Sequence, residues 1–320
     1  MWHQGEAELV VVDVLGGQLI RYDRSGKRVG SVVHPGNGEL EFQRPQWLVK
    51  TETGAVLMHE LRNLIGLDAT LKPVWGKRLK PHDATAKDVT WFGAPVVFDG
   101  ALIGPMRIGV RRDSWLGYAR MQLKGDFASQ KLVALPAEPS EESRRYTSGG
   151  PLVAVAAGGV YVLRFEPEPH LERVLPIPRA LSAFPHGFPP PLAPPSSGPG
   201  DMAAADALVR QATMVSAVFG HGDFLYVLTR EPGSNSGTRW LLHQIDPVKD
   251  KLLRQMQLPT SASGLIVVPG EHRWAFIEKG PVTGSFPVQE IGSAVMVPAP
   301  VISGEVHGPP MLDCSTAPAE

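Results

Sequence analysis

Apolar residues recur along this chain in short runs bounded by Gly, Pro, Asp and Asn, and helical spacing is scarce. Short β-branched and aromatic runs between such punctuators predict strands. The first unit shows the rhythm. Leu9 to Val12 ends at Asp13, Gly16-Gly17 follows, then Gln18 to Asp23, then Arg24-Ser25-Gly26, then Lys27 to Val33. It reads as strand, tight turn, strand, turn, strand. A Gly-Gly pair suits a two-residue hairpin because glycine reaches positive φ at little steric cost.

The unit recurs. Leu152 to Ala157, Gly158-Gly159 and Val160 to Phe165 align with the first copy on their glycine pairs. Longer copies cover 44–79 and 213–258, and the full set of units is 9–33, 44–79, 88–136, 143–177, 213–258 and 263–298. Four strands repeated about every 40 residues predict a β-propeller, an all-β ring of four-stranded blades. Six blades are expected; a different blade count or a double sandwich is the alternative. The first unit lacks an inner strand, and Ser293 to Val297 is expected to supply it, closing the ring between the N- and C-terminal segments. Closure would remove open sheet edges. The chain reads as one domain over 1–302, with a proline-rich insertion at 178–212 and a flexible tail at 303–320. Within the insertion, 184–200 is too dense in proline for a helix or central strand, and Ala203 to Val209 predicts one short helix.

Composition narrows the function without naming it. Lys+Arg is 31 and Asp+Glu 32, a net charge of -1, which excludes a strongly basic nucleic-acid binder. Hydrophobic residues at 43% are enough for a sizeable core, and the Gly (34) and Pro (31) excess fits many turns. A single cysteine, Cys314, allows no intrachain disulfide. The opening residues carry no basic-then-apolar leader, and no run reaches the roughly 18 apolar residues of a membrane span. The chain as written reads as cytoplasmic, or as periplasmic or secreted if a leader precedes it.

The spacing of Val12-Asp13, Tyr22-Asp23 and Gly26 resembles the repeat of six-bladed propellers of the NHL-repeat or TolB-like type. Met58 stands at the first Asp position of the second unit, with Asp68 retained, and Val155 and Phe165 stand at the two positions of the fourth. The resemblance implies a fold that hosts binding scaffolds, lyases and lactonases alike, so it assigns no chemistry.

The long connections, 99–111, 137–150, 178–212 and 231–237, are expected on one face, where function concentrates on a rigid scaffold. That face carries Arg107, Arg111, Arg112, Arg144, Arg145 and Tyr146. Paired arginines suit a carboxylate or phosphate, which they grip with two parallel hydrogen bonds. The inner-strand starts hold Arg44, Gln46, Trp47, Asp88 and Trp91. Trp47 and Trp91 fit either a ring-stacking pair or core wedges between blades. His59-Glu60-Leu61-Arg62-Asn63 nearly matches a zinc-protease motif, but Asn63 replaces the second His and the stretch reads as a strand end. Gly220-His221-Gly222-Asp223 reads as a turn with an exposed histidine, and Gly233 to Gly237 as a polar loop without a nucleophile elbow.

The reading is a non-catalytic binding scaffold for a protein or a small acidic ligand. Its contacts are Trp47, Asp88, Trp91, Arg111, Arg112, Arg145 and Tyr146. No cofactor, metal, nucleic acid or membrane span is expected, and the chain is read as a monomer. The alternative is a metal-dependent lactonase-like hydrolase using Asp88 with Asp83, Glu60 or Asp223, since calcium takes oxygen ligands.

Overall fold

The structure is a computed structural model that describes residues 2–4, 8–14, 16–23, 27–36, 38–52, 54–59, 63–79, 89–91, 93–109, 115–125, 127, 129–135, 153–164, 169–184, 213–233, 238–258, 260, 264–269, 273–283 and 288–298. The described residues are all strand, turn and connector, and every strand pair is antiparallel.

The first sheet joins β1 (Trp2–Gln4), β2 (Glu8–Asp13), β3 (Gln18–Asp23) and β4 (Arg28–Val32) in chain order. The second joins β5 (Pro45–Lys50), β6 (Gly54–His59), β7 (Asn63–Asp68) and β8 (Pro73–Arg78). The third contains β9 (Val89–Trp91), β10 (Val96–Phe98), β11 (Ala101–Ile108), β12 (Trp115–Gln122) and β13 (Ser129–Ala134). Here β9 and β10 both pair with β11, so the first strand is split around Gly93-Ala94-Pro95. A proline has no amide to donate, which suits the break.

The fourth sheet joins β14 (Val153–Ala156), β15 (Gly159–Arg164), β16 (His170–Leu175) and β17 (Arg179–Leu181). The fifth joins β18 (Met214–His221), β19 (Phe224–Pro232), β20 (Thr238–Asp246) and β21 (Lys251–Gln257). The last joins β22 (Leu265–Pro269), β23 (Arg273–Thr283) and β24 (Val288–Pro298). Successive meanders of four strands make this an all-β propeller fold with four-stranded blades.

Several expectations are corrected. Among the described residues, five sheets carry the four-strand path and the sixth has three strands, rather than six complete blades. The first sheet is completed by β1, not by Ser293 to Val297, which lies in β24 bonded to β23. The stretch 99–111, expected as a long connection, is mostly β11, because its near-continuous apolar run is buried on both faces. Arg179 to Leu181, assigned to the insertion, forms β17. Residues 185–212 of the insertion, with the short helix at Ala203 to Val209, and the tail 303–320 lie outside the described residues.

The chain divides into two compact units, Met1–Glu138 with Gly270–His272, and Pro139–Pro269 with Arg273–Glu320. In the first, Val10 and Leu19 of the first sheet pack with Leu48, Leu57 and Ile65 of the second. The other face of the second sheet sends Trp47, Val56 and Leu64 against Leu102, Met106 and Met121 of the third. The neighbours Trp47-Leu48, Val56-Leu57 and Leu64-Ile65 therefore serve opposite layers, as the period of two requires. The second unit repeats this design. Leu225 and Val227 face Tyr161 and Leu163 of the fourth sheet, while Tyr226 and Leu228 face Leu265 and Trp274 of the sixth. Each fully buried Leu or Val contributes about 1.5–3 kcal/mol, so these layers dominate the fold's stability.

Turn chemistry recurs where third strands end. Asp68 at the end of β7 accepts from the Thr70 amide (2.8 Å), the Thr70 hydroxyl (2.7 Å) and the Lys72 amide (2.9 Å). Asp246 at the end of β20 accepts from the Val248 (3.0 Å) and Lys249 (2.9 Å) amides, and Asp23 at the end of β3 accepts from the Lys27 amide (3.0 Å). Each aspartate satisfies backbone donors that the turn to the fourth strand leaves free. Gly17 and Gly158 hold positive φ (63° and 66°) in the tight hairpins, as the sequence predicts. The hairpins are not equivalent, however. Gly158 joins the first and second strands of its sheet, and Gly17 the second and third.

Candidate functional site

One end of the third sheet adjoins several of the sequence-predicted residues along the chain. Ile108, the last residue of β11, pairs with Val89, the first of β9, on one side, and with Trp115, the first of β12, on the other. Asp88 is the residue before Val89, and Arg111 and Arg112 lie in the connector from Ile108 to Trp115. Those three residues are outside the described set. Arg107, one residue before Ile108, is exposed at the same end. Beside it the half-buried Trp115 ring lies 5.5 Å from the Lys131 ammonium. Arg145 and Tyr146 lie between β13 and β14, also outside the described residues.

Beneath this end sit Trp47, the third residue of β5, and Trp91, the last of β9. Their rings meet edge to face at 5.7 Å between centroids and 74°. They are 7% and 1% exposed, so neither offers a ring face to solvent. The structure thus places both as wedges in the layer between the second and third sheets. Both indole N–H groups are buried without a hydrogen-bond partner among the described residues, an energetic cost that the packing of two large rings offsets. Gln46 and Arg44, exposed at the start of β5, are held together by donation from Gln46 Nε2 to the Arg44 carbonyl (3.4 Å).

In the second unit the structure reveals a polar pair that the motif search passes over. His243 on β20 and Thr229 on β19 are both buried, with His243 Nε2 2.9 Å from Thr229 Oγ1. The same hydroxyl reaches the Leu241 carbonyl at 3.5 Å. Donation to Leu241 leaves the hydroxyl to accept from Nε2–H, which makes Nδ1 the bare nitrogen. Nδ1 is buried without a partner among the described residues. Burial alone pushes the imidazole down from 6.5 to about 4, so it is neutral near pH 7. The available signal is its position in Trp240-Leu241-Leu242-His243-Gln244-Ile245, a near-continuous apolar run that is buried on both faces.

His221 is not in the turn, as expected, but ends β18, half-buried with its ring 5.4 Å from that of Trp274. The turn is Gly222-Asp223. His59 and Asn63 pair across a hairpin from β6 to β7, which rules out the helical ligand spacing of a zinc protease. Among the described residues, no three His, Cys, Asp or Glu cluster as a metal site. Asp223 lies at the β18–β19 hairpin, and Asp83 and Glu60 lie outside the described residues. The turn carboxylates are engaged structurally. Asp68 is held below the usual carboxylate range by the Thr70 hydroxyl and the Lys72 amide. Burial pushes Asp246 up, but the Lys249 and Val248 amides outweigh it and hold it low. Among the described residues, no helix is long and apolar enough to cross a membrane.

No family model matches the sequence, and no curated protein does. Solved structures match it by fold, 111 chains in all. One is the crystal structure of a Bacteroides fragilis NCTC 9343 protein whose name designates it a candidate for export. It is 11% identical, with a TM-score of 0.50, and the match covers 87% of this chain and 78% of that one. At that identity the likeness shows the propeller fold and no activity.

Proposed function

We propose that this chain is a non-catalytic binding propeller of the six-bladed NHL-repeat or TolB-like kind. It takes an acidic protein segment or small acidic ligand on its connectors. The observation that carries this reading is the pairing of Ile108 with both Val89 and Trp115. Asp88 directly precedes Val89 in the sequence, and Arg111 and Arg112 fall between Ile108 and Trp115, next to strands packed by Trp47 and Trp91. A rigid floor under variable connectors is the usual arrangement of a recognition site. Two adjacent arginines there favour a carboxylate, and Arg145 and Tyr146, between β13 and β14 in the sequence, are offered as further contacts. The carboxylates of Asp23, Asp68 and Asp246 support the reading from the other direction, since each is bound to its own turn. The match to a protein named for export favours an extracytoplasmic setting.

The test is titration calorimetry with a polyglutamate peptide at low salt. The unaltered chain should bind, and the Arg111→Ala/Arg145→Ala double variant should bind at least tenfold more weakly. Equal affinities, or no binding by the unaltered chain, would overturn the proposal.

A further inference from the structure

Among the described residues of the second unit, the exposed large apolar side chains are Ile177, Val248, Leu252 and Leu253. They gather at one corner. Ile177 lies in the turn from β16 to β17, Val248 in the turn from β20 to β21, and Leu252 and Leu253 at the start of β21. Asp250 draws the two turns together. It accepts from the Ser182 and Ala183 amides just past β17, and Arg179 of β17 lies 3.6 Å away. Ile177 and Val248 each stand two residues from that ion pair, and each is 67% exposed. Leu253 is the extra residue of a β-bulge, since Gln244 pairs with Arg254 and Ile245 with Leu252.

Charge is sorted around these side chains. Arg179, Lys249 and Lys251 are exposed. Asp246 is buried and Asp250 half-buried, and both aim their oxygens at backbone amides. Lys249 also lies 3.4 Å from Asp246. On the β18–β19 hairpin at this end of the sheet, Asp223 is exposed. Three outward cations thus stand against one outward acid.

Single exposed apolar residues need no explanation, but a cluster with a polar rim marks an interaction surface. Pro176 and Pro178 flank Ile177, and Pro247 precedes Val248, so both sit on stiff turn tips rather than in a groove. Four side chains also fall well short of the roughly 20–30 residues a side that a stable protein complex uses. A few apolar tips with basic neighbours suit an anionic bilayer surface instead. The tips enter the headgroup boundary, and Lys and Arg meet the lipid phosphates.

We infer that this corner of the second unit is a peripheral docking surface for anionic lipid bilayers. Ile177 and Val248 are its apolar contacts, and Arg179, Lys249 and Lys251 its contacts to phosphate. The inference does not depend on the connector site.

Flotation with vesicles of phosphatidylcholine, alone or mixed with phosphatidylglycerol, tests it. At low salt the intact chain should bind the mixed vesicles at least tenfold more tightly than phosphatidylcholine alone. Ile177→Ser/Val248→Ser and Lys249→Gln/Lys251→Gln should each weaken that binding at least tenfold. Val74→Ser, at an exposed apolar position of the first unit, should bind as the intact chain does, and so should Arg111→Ala/Arg145→Ala. Failure of the intact chain to float with the mixed vesicles would overturn the inference. So would undiminished binding by the serine variant, which would leave charge alone as the cause. Loss of binding in the arginine variant would move the contact to the connectors and overturn it too. An acidic, leucine-containing peptide that binds this corner where vesicles do not would assign it to a protein partner, with the same consequence.

Discussion

His243 shows how one side chain couples the fold to pH. Its ring is neutral when folded because burial penalises the cation, and protonation would place a hydrogen on Nδ1 with no acceptor among the described residues. The unfolded chain takes up this proton near 6.5, the folded chain only near 4. Between those values the unfolded state binds more protons, so stability falls as pH drops from about 6.5 and levels off near 4. The full effect is about 3 kcal/mol. Urea denaturation at a series of pH values should show this slope, and His243→Leu should remove it. A slope unchanged in the variant would assign it to other groups. The aspartates act lower. Asp68, Asp246 and Asp250 are all held below 3.8, so their contributions persist through this window and fade only as pH falls further.

At the scale of elements, the turn after β20 ties two sheets of the second unit together. Asp250, at φ 52°, accepts from the Ser182 amide (3.0 Å), the Ser182 hydroxyl (2.7 Å) and the Ala183 amide (2.9 Å), with Arg179 at 3.6 Å. Asp250→Asn keeps a residue that tolerates the left-handed backbone but weakens these charge-assisted bonds. A loss of about 1–2 kcal/mol is expected by denaturant titration. An unchanged midpoint would mean that solvent replaces the bonds at no cost. The sequence showed strands and hairpins well, because alternation and glycine pairs are local signals. It placed the blade bounds well but blurred strand order within blades for a physical reason: hairpins within a meander look alike. Gly16-Gly17 and Gly158-Gly159 align in sequence yet join different strand pairs. The aspartate ending the third strand marks blade register better, because it is tied to one turn. The 99–111 stretch was lost to a different cause. Arg107 and Gly109 suggest a connector, while Ala101 to Met106 is buried on both faces. At the site, the sequence does not reveal that Ile108 pairs with both Val89 and Trp115, because strand register is a long-range property. Trp47 and Trp91 were found by position, but only packing separates a core wedge from a stacking platform.

At the scale of the whole molecule, apolar layers between consecutive sheets of each unit hold the strands, and the proposed recognition falls to the connectors. The competing account is a metal-dependent hydrolase, in which carboxylates converge on an ion. Here Asp23, Asp68 and Asp246 are committed to turns, and the arginines proposed as contacts fall between strands in the sequence. The two accounts differ most directly in thermal unfolding with calcium, zinc or magnesium, followed by chelator. An ion that binds only the folded chain stabilises it by about 2.7 kcal/mol at a hundredfold excess over its Kd. The binding-scaffold account predicts the same unfolding midpoint under every condition. An upward shift with one ion, reversed by chelator, would contradict it.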